Sequence, residues 1–340
     1  MADNINIVDG KAAFASAKEV AWHGLGQVVD HAMTSKECIE LAGLDYEVGL
    51  APLYARVNEA NGTFDSSLLD KNFATYRKDT NDIFGVVGSK YTVVQNIEAF
   101  DFFDGVVGEG SAIFQTAGAL GIGETVFITA KLPDYIRIGN SDDVIEKYLL
   151  LTMSHDGSGA IQAMFTPVRV VCNNTLQSAL RNNTNKISIR HTKSAQDTLK
   201  DAYKIMGMTN KLTDALSDKY TAMSKFRFDT NQTGKLIEQL YLSQEELADR
   251  QLGASLVDVV STKKNNVIND IIDYTYNNDT QKLVTTDGTL WGCYNGLTGY
   301  YQNVKTYKSD EAKFKSNLLG TNKDIMQKAL NLCNRELELA

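Results

Sequence analysis

Three groups of residues in this chain have types and spacing that could do chemistry. His155-Asp156 pairs an imidazole that titrates near neutrality with a carboxylate, which suits acid–base work or a metal. The other histidines are His23, His31 and His191, and none sits three or four residues from a useful partner. No HExxH or Cys/His cluster exists, so a polar turn with local hydrogen bonds is the favoured reading. Asn173 and Asn174 lie beside Cys172 and Arg169 at an expected strand-to-helix junction. They read equally well as capping devices or as ligand contacts. Cys172 has no adjacent histidine to activate it as a nucleophile. Gly118, Gly121 and Gly123 resemble a phosphate loop, but Glu124-Thr125 follows where Gly-Lys-Ser/Thr is required. A strand rather than a helix is expected next, which excludes a dinucleotide-binding turn and leaves a hairpin turn. No catalytic residue, metal or cofactor is therefore assigned.

A different signal comes from charge. Between Asp156 and Asp197 there is no carboxylate, although Asp and Glu number 42 in 340 residues and the net charge is −8. The same stretch carries Arg169, Arg181, Lys186, Arg190 and Lys193, with His191. Residues 1–164 hold 11 Lys/Arg against 23 Asp/Glu, and residues 165–225 hold 10 against 4. A solvated helix face normally mixes signs, because opposite charges four residues apart stabilise it. Unopposed cations repel one another unless a phosphate chain or a partner's acids neutralise them. Asn182, Asn183 and Asn185 add uncharged donors suited to phosphate or sugar. The expected nucleic-acid contacts are Arg169, Arg181, Lys186, Arg190 and Lys193, with Asn173 and Asn174 fixing the junction or touching the backbone.

The elements that must position these residues follow from pattern. Hydrophobic content of 43% is enough for a core, and three prolines exclude a Pro-rich linker. No run of 18 apolar residues predicts a membrane span, and the N-terminus lacks the basic and apolar regions of a signal peptide. Four scattered cysteines without CxxC suggest reduced thiols and a cytoplasmic setting. Residues 1–20 are expected to be flexible. A short helix is predicted from Ser35 to Ala42, capped by Thr34 or Ser35. Strands are predicted at 48–57 and 72–76, then a hairpin pairing 83–87 with 91–94 around Gly88-Ser89-Lys90. Asn96 is read as the cap of a helix over 97–107, with Ile97, Phe100, Phe103 and Val107 at helical spacing.

Strands 112–117 and 125–132 then flank the glycine turn, and strands 148–154 and 159–165 flank His155-Asp156-Gly157-Ser158. After Pro167 the pattern predicts a basic helix over 168–180. A helical stripe from Leu199 to Phe226 follows, then a capping box at Ser243-Gln244-Glu245-Glu246 and helices at 261–276, 289–301 and 322–338. Trp291, Tyr294, Tyr300, Tyr301 and Tyr307 are read as core rather than as base-stacking faces. The expected fold class is α+β: an antiparallel β-hairpin sheet core with flanking helices over 21–195, and a mainly helical region over 196–340.

Several motifs together resemble a known family. They are Trp22-His23-Gly24-Leu25-Gly26, Tyr76-Arg77 with Asp79, and Gly85-Val86-Val87-Gly88 to Tyr91-Thr92-Val93-Val94-Gln95-Asn96. Ala130-Lys131-Leu132-Pro133, Ser154 to Ser158, Thr166 to Leu176, and Trp291, Tyr294-Asn295 and Thr298 complete the set. Over roughly 20–335 the chain is similar to the phage/plasmid-like protein family of unknown function, which implies a mobile-element protein and supplies no site residues. The order helix, strands, basic helix also resembles the core of phage single-strand annealing proteins, the Redβ/RecT and Erf recombinases. That resemblance implies ATP-independent binding and annealing of single-stranded DNA by a ring- or filament-forming homo-oligomer in recombination or replication. The competing expectation is a non-enzymatic interaction protein working by charge complementarity. An unrecognised enzyme around His155, Asp156 and Asn173 ranks last.

Overall fold

The computed structural model describes residues 5–17, 26–58, 64–107, 113–169, 174–175, 186–192, 194–195, 203–308, 312–313, 316–317 and 320–339. The fold is α+β, with the strands in the N-terminal part and a helical C-terminal half. Two compact units divide the chain. The first comprises Met1–Pro133, Tyr148–Phe165 and Lys186–Met208, and the second Asp134–Lys147, Thr166–Asn185 and Thr209–Ala340. Position 195, where the sequence suggested a boundary, falls inside the first unit.

Residues 5–17, expected to be flexible, are built into the fold. β1 (Ile7–Val8) and β2 (Lys11–Ala12) form a hairpin around Asp9-Gly10, whose φ angles of 50° and 76° give a type I′ reversal. β3 (Phe14–Ala17) is buried along its whole length and pairs antiparallel with β8 (Ile113–Leu120). It pairs parallel with β4 (Gln27–Val29). Four small or apolar residues in a row suit a strand covered on both faces. The remaining strands of this sheet are β9 (Thr125–Arg137), β10 (Val144–Ser154), β11 (Ile161–Arg169), β12 (Asn174–Thr175) and β13 (Lys186–Ile189). The order is β12-β11-β10-β9-β8-β3-β4, and β13 also pairs with β11. The turn between β8 and β9 uses Gly121 and Gly123 at φ 67° and 106°, with the Glu124 carboxylate accepting the Ile122 N–H at 2.8 Å. It is the hairpin turn the sequence implied.

A second sheet joins β5 (Val48–Asn58), β6 (Phe64–Arg77) and β7 (Ile83–Gly88). The predicted hairpin of 83–87 with 91–94 does not form. β7 pairs back onto β6 through Asn72↔Gly88 to Tyr76↔Ile83, and residues 91–95 are not strand. Polar contacts divert this segment instead: Tyr91 N–H bonds to Gly88 O and Thr92 N–H to His191 O, both at 3.0 Å. α1 (Ser35–Leu41) is capped by Thr34, one of the two expected caps, and Glu37 completes a reciprocal capping box with it. α2 (Asn96–Val107) includes Asn96 as its first residue rather than as its cap. Glu98 instead reaches back to the Gln95 N–H at 2.9 Å.

In the second unit, Pro167 does not open a helix. Val168 and Arg169 continue β11 and pair with Thr175 and Asn174 of β12. Extended pairing is compatible with a proline in a strand only where no ladder N–H is required of it. The predicted helices appear as α3 (Tyr203–Lys225), α5 (Gln244–Gln251), α7 (Thr262–Asn277), α8 (Leu290–Gly299) and α9 (Thr321–Glu338), and two more that the sequence reading did not give, α4 (Thr230–Tyr241) and α6 (Leu256–Val259), lie between them. Asp229 and Ser243 cap α4 and α5 with reciprocal boxes.

α8 is buried along its whole length. A Cβ on Gly296 would collide with Thr275 and one on Gly299 with Tyr274, so these glycines let α7 and α8 approach closely. Trp291, Tyr294, Tyr300 and Tyr301 are buried, as the core reading required, whereas Tyr307 is half-buried. Buried Asp143 anchors α8 by accepting the Trp291 Nε1–H at 3.0 Å and the Thr285 hydroxyl at 2.7 Å. Asp143→Ala removes the acceptor of both bonds and should cost roughly 1–3 kcal/mol per orphaned donor. Asp143→Asn keeps an acceptor oxygen and should lose less. Urea denaturation of the three proteins checks this, and equal midpoints for Asp143→Ala and the parent would contradict it.

Candidate functional site

β13 runs antiparallel to β11, with Ile189 opposite Ile161 and Lys186 opposite Met164. Side chains alternate across a strand. Ser188 and Arg190 are accordingly exposed, while Ile189 and His191 are buried. Arg190 thereby reaches solvent beside the turn that links β10 and β11. Three segments of the first unit meet there around an open depression of ≈ 400 Å³: Gly88, Lys90 and Tyr91; Gly157 to Ala160; and Arg190 to Thr192. Lys90 and Arg190 are its two cations, both exposed. Asp156 is not in its lining, and its carboxylate accepts the Ser158 N–H at 2.8 Å within the turn.

Beneath the depression lies a cluster of two buried imidazoles and two half-buried aromatic rings. The Tyr91 and His191 rings stack at 4.8 Å and 16°. His191 and His155 have centroids 6.4 Å apart, and His155 stacks on Phe84 at 6.0 Å and 21°. Asn96 Nδ2 donates to Leu44 O at 2.9 Å, which leaves its Oδ1 to accept from His155 Nε2 at 2.8 Å. The proton of the neutral ring is thus on Nε2, and His155 Nδ1 is an acceptor without a partner. Both ring nitrogens of His191 and the Tyr91 hydroxyl also lack hydrogen-bond partners. Burial pushes His155 down to about 3, and the neighbouring His191 pushes it the same way. Burial lowers His191 to about 4, partly offset by the Thr92 backbone, which lies close without reaching hydrogen-bond geometry. Both imidazoles are neutral near pH 7, so the positive charge here comes from Lys90 and Arg190.

His155 is therefore part of the core rather than of a polar turn, while Asp156 alone makes the local turn bond expected of the pair. Among the described residues no group of three His, Cys, Asp or Glu side chains is placed to hold a metal. Cys38, Cys293 and Cys333 are buried free thiols. No described helix is long and apolar enough to cross a membrane.

Of the seven residues singled out for nucleic acid, Arg190 is at the depression. Lys186 lies on β13 in the same unit. Arg169 and Asn174 are paired across β11 and β12 in the second unit, in strand rather than at a strand-to-helix junction. Arg181, Lys193 and Asn173, like Cys172, lie outside the described residues. The correction matters to the annealing-protein resemblance, because its closing basic helix is strand at 168–169 and 174–175. Lys90 was missed in the sequence. It was read as a residue of a hairpin turn, and its partner Arg190 is one hundred positions away.

The chain belongs to the family described as Domain of unknown function (DUF932), which matches residues 83–319. The match takes in all three segments around the depression. No curated protein and no solved structure matches the chain.

The buried imidazoles generate a pH prediction. Their folded-state values lie below the ordinary 6.5, so the unfolded chain binds more protons between those values. Stability is fully present above pH 6.5 and falls with pH toward about 4 and 3. The slope approaches about 1.4 kcal/mol per pH unit for each imidazole. His155→Gln should remove about half of that slope. Urea midpoints between pH 7 and 5.5 read it before ordinary carboxylates titrate, and a flat profile would contradict neutral burial.

Proposed function

We propose that this protein binds single-stranded nucleic acid, DNA foremost, and acts as an ATP-independent annealing protein of a phage or plasmid, as a homo-oligomer. The supporting observation is the absence of any acid over residues 157–196 in a chain of net charge −8. Arg190 of that stretch is exposed beside Lys90. Binding of this kind neutralises backbone phosphates and releases counterions, and needs no bond chemistry. Arg169, Arg181, Lys186, Arg190 and Lys193 are the proposed phosphate contacts, with Asn173 and Asn174 as uncharged ones.

A second reading, assembly through interaction surfaces, draws on the second sheet. Tyr54, Leu68 and Leu69 are exposed there, and among the described residues β6 has no partner other than β5 over 64–71. Such an apolar, two-stranded arm suits a protein partner.

Anisotropy with a labelled oligo-dT at several salt concentrations separates the two. Five phosphate contacts predict a log–log slope of about −3.5, and Arg190→Gln should make it shallower by about 0.7. Oligomers that persist at high salt and ignore the oligonucleotide would instead favour assembly and defeat the nucleic-acid proposal.

A further inference from the structure

We infer that the depression between Lys90 and Arg190 is a built site for a phosphate group, a specific seat rather than a stretch of general positive surface. The inference rests on the nucleic-acid reading and narrows it to one place. Charge is the first support. Lys90 and Arg190 come from segments distant in sequence and border one cavity, and neither makes an ion pair among the described residues. No acid is among the lining residues; Asp156, which accepts the Ser158 N–H, lies just outside them and close enough to act on Tyr91. A guanidinium and an ammonium facing one space can hold an oxyanion by a forked contact and a point charge together.

Space is the second support. The volume of ≈ 400 Å³ exceeds what one phosphate needs and leaves room for part of a nucleotide. A Cβ built on Gly88 would meet nothing within 4 Å, so the wall at that point borders open space. Gly157, at φ 82°, supplies a turn that side chains rarely adopt.

The third support comes from the floor. His191 is 5% exposed, lines the cavity, and has no partner at either ring nitrogen. The Tyr91 hydroxyl stacked against it is also without a partner. Buried polar atoms in this state each cost about 1–3 kcal/mol, and native proteins rarely leave three together. A neutral imidazole offers one donor, and a tyrosine hydroxyl another. A small inward shift on binding would let them meet a phosphate oxygen or an ester oxygen, beneath the two cations.

The test uses the full chain and short oligo-dT carrying either a 5′-phosphate or a 5′-hydroxyl, with inorganic phosphate as competitor. Lys90→Gln and Arg190→Gln should each weaken binding about tenfold, while Lys36→Gln, an exposed lysine on α1, should not. Gly88→Val adds bulk at the cavity wall without changing any charge and should weaken binding as well. Preference for the 5′-phosphate, competed by inorganic phosphate, identifies a terminal phosphate as the occupant. Equal binding of both oligonucleotides with the same loss in Gly88→Val identifies an internal phosphodiester. Loss in the charge variants with full binding by Gly88→Val overturns the seat and leaves the broader proposal standing. The absence of oligonucleotide binding by the parent protein overturns both. Should Gly88→Val fail to give the parent's circular dichroism, Gly88→Ser, which is smaller, carries the same comparison.

Discussion

One side chain, Asn96, ties the start of α2 to the segment ahead of β5 and to the end of β10. Its amide donates to Leu44 O ahead of β5, and its carbonyl accepts from His155 after β10, while its own backbone starts α2. His155 is fixed a second time by its N–H to Glu124 O at 2.7 Å. Burial, with His191 nearby, keeps the imidazole neutral near pH 7. It then forms a floor with Phe84, His191 and Tyr91. The floor sets where residues 88–91, 157–160 and 190–192 come together. The geometry of Lys90 and Arg190 is thus a consequence of a neutral polar core beneath them, and sensitivity to acid is inherent in it.

Arg77 shows what a cation does in this unit when its role is structural. It is buried, bonds Asp79 through two nitrogens at 2.7 and 3.0 Å, reaches Asn6 at 2.9 Å, and lies 3.9 Å from the Tyr46 ring centroid. The guanidinium holds the Asp79 carboxyl below its usual range. Every part of that arginine has a partner of complementary charge or polarity, as buried charge requires. Lys90 and Arg190 differ: they are exposed and border a cavity. That contrast places the candidate site at the depression and not at the more densely bonded Arg77.

Local chemistry was legible in the sequence at several places where adjacent residues decide the structure, though the Asp229 capping box was not read and Asn96 was read as a cap. The Thr34 and Ser243 capping boxes, the glycine turn at 121–124 and the Asp156-Gly157 turn follow from a few adjacent residues. So do the helices of the second half, whose apolar periodicity is long. Non-local pairing was not legible. Residues 91–94 have strand composition, but β7 is already paired with β6 and the segment bonds to His191 instead. Val168 and Arg169 follow a proline that would suit a helix start, yet β12 captures them as strand. Burial of Phe14–Ala17 depends on β8, a hundred residues later. The site was half visible: the acid-free stretch marked Arg190, whereas Lys90 joins it only through the fold, and the His155–Asn96 bond spans 59 positions.

The most direct measurement of where nucleic acid binds is amide hydrogen exchange of the full chain with and without saturating oligo-dT. Slower exchange at residues 88–92, 157–160 and 186–192 is the predicted result, with the helices of the second unit unchanged. Unchanged exchange in those three segments, under conditions where the oligonucleotide is bound, would contradict the placement of the site.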